Sequence, residues 1–309
     1  MRILLLGSKF FGYTSRVCEE LRKSNSVSCE YSYSYSKIER ILRKIHIKYD
    51  HQKIYYGSLV TKYSKEKLDK IIVLGGGFPY SFVSELKLTH PECSLTLYMS
   101  ADRRSYGFTD EYLALFGRVL TYSLNDAQEF NLEYRPWFFS QQKTSEKLVD
   151  ISFVGSIHPS RYFILKELYR TSKLRTSYFI YSDILAFLKT FMKWWMLTKH
   201  IHFKGLPYDE YIDLLSKSKA TLDIPEAEQT NITTRPIESI ATETKIITTN
   251  KFIRRYDFYH EDNVFIVDQK LDQHTILQIE QWLLKPYVKI PSCIVENYSI
   301  TTFCNEIVR

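Results

Sequence analysis

Residues 219–250 read KATLDIPEAEQTNITTRPIESIATETKIITTN, and the fold turns on how they are parsed. Ala220-Thr221-Leu222-Asp223-Ile224 is a short apolar run of buried-strand type. Residues 225–233 are polar and form a loop. Thr233 or Thr234 then offers an N-cap hydroxyl, and Pro236 falls in a first helical turn, where its missing N–H is tolerated. Ile237, Ile240 and Ala241 follow at helical spacing, and Lys245-Ile246-Ile247-Thr248-Thr249 supplies a second strand. A strand, a loop, a short helix and a parallel strand make one βαβ unit. It presents a helix N-terminus, with free N–H groups and a positive dipole end, at the carboxyl edge of a sheet, and such a place suits a phosphate. Arg235 and Thr230 add a charged fork and a hydroxyl donor beside it.

The same alternation of strands and helices extends outward in both directions. Downstream, residues 263–267 read as the last strand, residues 275–284 as a helix, and a further helix begins near Ile300. Upstream, residues 150–154 form a strand that runs into Gly155-Ser156, and Arg161 opens the helix that follows. Residues 177–181 are a strand, 201–207 a strand and turn, and 208–216 an amphipathic helix. Residues 183–200 mix Phe, Trp and Leu with Lys189, Lys193 and Lys199, a run too short to span a bilayer. Its pattern fits either a helix lying in a membrane interface or a buried helix of the second half.

The first half reads as α/β too. Arg2-Ile3-Leu4-Leu5-Leu6 is too short for a signal peptide and suits a first buried strand, with a helix over 15–22. Residues 31–36 alternate Tyr and Ser like a half-exposed strand, and 38–46 repeat apolar residues at helical spacing. Lys70 to Leu74 is a strand ending in Gly75-Gly76-Gly77, where backbone can approach a ligand closely. Ser94 to Met99 is the next strand, and Asp102 falls just past its carboxyl end, where α/β sheets keep their ligands. Asp102 could equally cap the next helix or pair with Arg103 or Arg104. Residues 119–123 are a further strand and 126–130 a short helix. Residues 138–147 lose apolar periodicity, which places a linker there and divides the chain into 1–145 and 146–309, with the tail helix near Ile300 a candidate to cross back to the first domain.

Gln229-Thr230-Asn231-Ile232-Thr233-Thr234-Arg235-Pro236-Ile237-Glu238, followed by the Lys245–Asn250 strand end, resembles the donor-binding segment of GT-B-fold glycosyltransferases. The relatives in question are bacterial enzymes of lipopolysaccharide, O-antigen and capsule assembly. The likeness is specific over about thirty residues, with weaker echoes along most of the chain. Asn231 stands where that family has glycine. Glu238 occupies the second position of the paired glutamates of many retaining members, and Thr230 the first.

The resemblance implies two Rossmann-like domains facing across a cleft, the first holding an acceptor and the second a nucleotide sugar. It implies donor contacts from Gly155, Ser156, Arg161, Leu206, Pro207, Gln229, Thr230, Thr233, Arg235 and Glu238. Asp102 becomes the candidate general base. With no D-x-D motif, positive side chains and a helix dipole would stand in for a metal, and no cofactor is expected. The expected activity is hexosyl transfer to a cell-surface glycan or lipid-linked acceptor, in the cytoplasm or on the inner face of its membrane. The alternative is a non-catalytic relative that binds nucleotide or glycan.

Composition bounds these readings. The 309 residues are 44% hydrophobic and 25% charged, enough for two ordinary domains with cores. Cys18, Cys29, Cys93, Cys293 and Cys304 are scattered, odd in number and without metal-type spacing, as in a reduced compartment. The net charge of +7 is uneven: residues 1–145 hold 21 Lys and Arg against 15 Asp and Glu, the rest 21 against 20. A basic first half suits an anionic lipid or pyrophosphate acceptor, or simple solubility. There is no helix–turn–helix, zinc or ribonucleoprotein pattern, so no nucleic-acid partner is expected. Neither G-x-G-x-x-G nor a P-loop occurs.

Overall fold

A computed structural model describes residues 1–9, 12–35, 39, 51–225 and 231–309, with the side chains of residues 160, 190, 191 and 193 outside the description. The chain forms two compact units, Met1–Trp137 with Ile300–Arg309, and Phe138–Ser299. The division thus falls at 137/138 instead of the expected 145/146. The physical reason is that Phe138 and Phe139 are buried and the Phe139 N–H donates to Tyr298 O within the second unit.

The first unit is built on the strands β1 (Arg2–Gly7), β2 (Ser26–Tyr31), β3 (Lys70–Leu74), β4 (Ser94–Met99), β5 (Arg118–Thr121) and β6 (Glu133–Tyr134). They lie parallel in the order β2-β1-β3-β4-β5-β6. Strand residues alternate between faces. Leu4, Leu6, Ile71, Val73, Leu95 and Leu97 share a core with the helices His51–Tyr63 and Tyr80–Thr89. From the opposite face Tyr98 meets Phe303 edge-on, at 4.8 Å between centroids. Phe303 belongs to the last helix, Ile300–Val308, whose end is fixed by polar bonds: Lys70 Nζ donates to Val308 O, and buried Arg135 pairs with Glu306 at 3.1 Å.

The second unit repeats the plan with β7 (Val149–Ser156), β8 (Thr176–Tyr181), β9 (Ile201–His202), β10 (Ser218–Asp223), β11 (Lys245–Thr248) and β12 (Val264–Ile266). Its parallel order is β12-β11-β10-β7-β8-β9. One core joins Ile151, Phe153, Ile180, Leu222 and Ile247 to the helices Pro159–Thr171 and Gln273–Trp282, with Trp194 and Leu197. The helices Tyr208–Ser216 and Thr234–Ala241 bury Ile212, Leu215, Ile237 and Ile240.

In each unit the chain lays strands to one side of its first strand and then returns to the other. The order reverses between β1 and β3, and again between β7 and β10. A reversal leaves a crevice outside the carboxyl ends of the two central strands, and α/β sheets bind ligands there.

One local expectation fails, and one helix was not among those expected. Residues 32–35 of the Tyr-Ser stretch are not strand: pairing with β1 runs from Ser26 and stops at Tyr31. The helix His51–Tyr63 went unpredicted, although its buried Tyr56, Leu59, Val60 and Tyr63 keep helical spacing. The helical pattern over 38–46 lies outside the described residues apart from Glu39.

Candidate functional site

At the reversal of the second sheet, β7 ends in Gly155-Ser156 and β10 ends in Asp223. Arg161, third in the helix Pro159–Thr171, spans the gap between them. Its Nε donates to Ile224 O at 3.1 Å, and one terminal nitrogen donates to Ser156 O and Ser156 Oγ at 2.8 and 2.7 Å. These bonds set a guanidinium across the carboxyl ends of the two central strands. Gly155 serves packing: a Cβ there would stand 2.7 Å from the Phe153 ring.

The helix Thr234–Ala241 starts at the same edge, and its N-cap is Thr233. The Thr233 hydroxyl accepts from Arg235 N at 3.2 Å and donates to Asp223 Oδ1 at 2.8 Å. Pro236 stands in the first turn, as its missing N–H requires.

Asp223 is fully buried and is the hub of this edge. Besides Thr233 it takes the Arg235 guanidinium at 2.8 Å and, from its β11 register partner, the Thr248 hydroxyl at 3.3 Å. Arg235 donates its other terminal nitrogen to Val154 O at 2.6 Å, and its charge lies 5.6 Å from the Phe153 ring centroid. Arg235, half-buried, therefore ties β7 to β10 through a buried carboxylate, at the edge where the sequence pattern assigned it to the ligand. An acid ending an apolar strand, with an arginine twelve residues on, was the available signal for this pair.

Glu238 is likewise internal. It is fully buried and accepts the Tyr211 hydroxyl at 2.8 Å from the neighbouring helix. Asn231, in the glycine position, is buried and accepts at its carbonyl from Asn250 Nδ2. Leu206 and Pro207 follow the edge strand β9, and Pro207 starts the helix Tyr208–Ser216. They stand on the far side of β8 from the reversal. Gln229 and Thr230 lie outside the described residues.

In the first unit Asp102 follows β4, half-buried, and precedes the short helix Arg103–Tyr106 without capping it through its side chain. Arg103 pairs with Asp110 at 2.6 Å and Arg104 with Glu129 at 3.5 Å. The neighbouring Asp126 accepts Arg103 N at 2.7 Å. Burial pushes the Asp126 carboxyl above the usual range, and the Asp102 charge adds to that against the pull of the Arg103 amide. Gly75 and Gly77 adopt positive φ, as their turn requires, but the space over Gly76 holds the Tyr106 ring. The glycine run thus receives a side chain of the protein itself.

Among the described residues no group of three or more His, Cys, Asp or Glu is arranged to hold a metal ion. No described helix is long and apolar enough to cross a membrane.

No family model and no curated protein matches the chain. Solved structures do match, along essentially its whole length. Anabaena HepE, crystallised with UDP-glucose, superposes with a TM-score of 0.68 at 11% identity, covering 100% of this chain and 98% of that one. The lipopolysaccharide outer core galactosyltransferase WaaB gives 0.57 at 11% identity, with 100% and 99% covered. The UDP-GlcNAc 2-epimerase of Methanocaldococcus jannaschii, in complex with UDP-GlcNAc and UDP, gives 0.57 at 13%, again with 100% and 99% covered. At such identities the likeness is one of fold, and the fold is GT-B.

Proposed function

We propose that the protein is a glycosyltransferase that takes a sugar from a nucleotide-sugar donor, a UDP-hexose in the first instance. The observation that carries this reading is Arg161, fastened over the carboxyl ends of β7 and β10 where the strand order reverses. A cation held at that edge, close in the fold to the N-terminus that Thr233 caps, suits a leaving diphosphate. HepE was crystallised with UDP-glucose and the epimerase with UDP-GlcNAc, and both support a UDP-sugar as the molecule to try first.

In this reading Gly155, Ser156, Arg161 and Thr233 face the diphosphate. Gln229 and Thr230 contact the donor, as the family resemblance implies, and Leu206 and Pro207 neighbour the base. Arg235 and Glu238 hold the frame. Departure of the diphosphate breaks the anomeric C–O bond while an acceptor hydroxyl forms the new one, and Asp102 takes the hydroxyl proton. Charge on the leaving group is met by Arg161 and the helix dipole, so the reaction needs no metal. The acceptor is a glycan or a lipid-linked sugar, and the enzyme works at the inner face of the cytoplasmic membrane.

The test is titration calorimetry with UDP and a panel of UDP-sugars, followed by product analysis with and without glycan acceptors. Tight binding with transfer to an acceptor supports the proposal. Binding with release of an epimer and no transfer would place the chain with the epimerases. Binding without turnover would make it a non-catalytic relative, and absence of any nucleotide binding would sink the site itself.

A further inference from the structure

The helix Ile184–Trp194 and the 3-10 turn Trp195–His200 carry a surface that the donor site does not use. Trp194 and Leu197 are buried and tie the segment to the core of the second unit. Ile184, Leu185, Leu188, Met192 and Trp195 are turned the other way, each between 62% and 84% exposed. At 3.6 residues per turn these five fall within an arc of about 100° on one side of the helix. Phe203, in the turn after β9, adds another exposed ring. Isolated surface leucines need no explanation, but a contiguous apolar stripe of this kind marks an interaction surface.

Charge decides what covers it. Residues 184–205 contain four lysines and no acid. Of these, Lys189, Lys199 and Lys204 are exposed. Lys189 flanks the apolar stripe one step around the helix, and Lys199 and Lys204 stand beyond its carboxyl end. A protein partner's groove would be expected to meet such a rim with acids. An anionic bilayer meets it with headgroup phosphates, takes the apolar stripe among its upper acyl chains, and leaves an indole at the boundary. An eleven-residue helix is about 16 Å long, roughly half a hydrocarbon core, so it lies in the plane of the membrane.

We infer that the apolar stripe of Ile184–Trp194, with Trp195 and the lysines around it, docks the second unit onto anionic lipid. The inference deepens the proposed function by naming the face that brings the enzyme to its membrane, and it rests on that reading only for its purpose.

The experiment is co-flotation of the whole chain with vesicles of phosphatidylcholine, alone or in equimolar mixture with phosphatidylglycerol. Binding is expected to the mixed vesicles, weaker by roughly tenfold or more on phosphatidylcholine alone and falling as salt rises. Trp195 fluorescence should shift to the blue, and the shift should be absent from Trp195→Phe. Leu188→Asp with Met192→Asp alters two exposed positions, so circular dichroism should be unchanged while vesicle binding drops roughly tenfold or more. Lys189→Ala with Lys204→Ala should lower binding to mixed vesicles and reduce its salt dependence. Failure of the wild type to float, or unchanged flotation of the Asp pair, overturns the inference. So does a wild-type dimer that the Asp pair converts to monomer without any vesicle binding, since the stripe would then be covered by a second copy. UDP titration of the wild type, set beside its flotation, separates the two proposals. Flotation without nucleotide binding removes the donor site and keeps the docking face, and the converse removes the docking face alone.

Discussion

Replacing Arg235 by alanine should act first on folding. The change deletes two hydrogen bonds, 2.8 Å to Asp223 and 2.6 Å to Val154 O. It leaves a fully buried carboxylate without its counter-ion. Breaking a buried pair from one side costs about 3–5 kcal/mol. The Thr233 and Thr248 hydroxyls stay on Asp223 and hold the cost near the lower end, about 3 kcal/mol. In a unit of this size each kcal/mol moves the melting midpoint by roughly 2–4 °C, so a drop of roughly 6–12 °C is expected. Thermal melts and urea titrations followed by circular dichroism measure it. Asp223→Leu combined with Arg235→Met should recover much of the loss, because two apolar side chains leave no buried charge behind. An Arg235→Ala protein that melts with the wild type but no longer binds UDP would refute the reasoning, and would return Arg235 to the ligand as the sequence pattern had it.

Arg161→Ala should behave in the opposite way, weakening UDP binding by about 1.5–3 kcal/mol while the melting midpoint changes little. Calorimetry showing unchanged affinity would remove Arg161 from the site. Asp102→Asn should lower turnover roughly a hundredfold with donor affinity intact, and near-normal turnover would dismiss it as the base. Lys245 gives a pH test. Burial among the Trp282 and Lys285 carbonyls depresses its ammonium pKa to about 8, so between about pH 8 and the ordinary lysine value near 10.5 the unfolded chain holds more protons than the folded one. The wild type should therefore gain stability relative to Lys245→Met as pH rises through that window. A gap between the two melting curves that stays constant with pH would show Lys245 to be charged when folded.

The strands could be read because parallel sheets bury both faces. Lys70–Leu74, Ser94–Met99 and Lys245–Thr248 are short runs dominated by apolar residues in the sequence and strands in the structure. The short βαβ helix was legible because Thr233 and Pro236 mark its start chemically. Side-chain destinations were harder to read. Arg235 and Arg161 both stand near the first turn of a helix after a strand, and nothing local says that one is held by a buried carboxylate. That depends on Asp223, twelve residues before Arg235, being brought beneath it by strand pairing. Trp194 and Trp195 are adjacent in sequence, yet one is 1% exposed and the other 63%. A helical step of 100° separates core from surface, and composition cannot choose between them. The helix His51–Tyr63 was missed because Gly57 and the polar residues between its buried positions dilute the apolar signal.

The closing helix Ile300–Val308 sets an order on synthesis. Residues 138–299 hold every strand of the second sheet, so that unit can close while the chain is still being made. The first unit cannot. Tyr98, Lys70, Arg118 and Arg135 wait for Phe303, Val308 and Glu306, which the ribosome adds after the second unit is finished. Two guanidinium groups and an ammonium remain hydrated on a half-covered sheet until residues 300–309 emerge. The unit that opens with residues 1–137 is thus sealed after the unit that follows it along the chain.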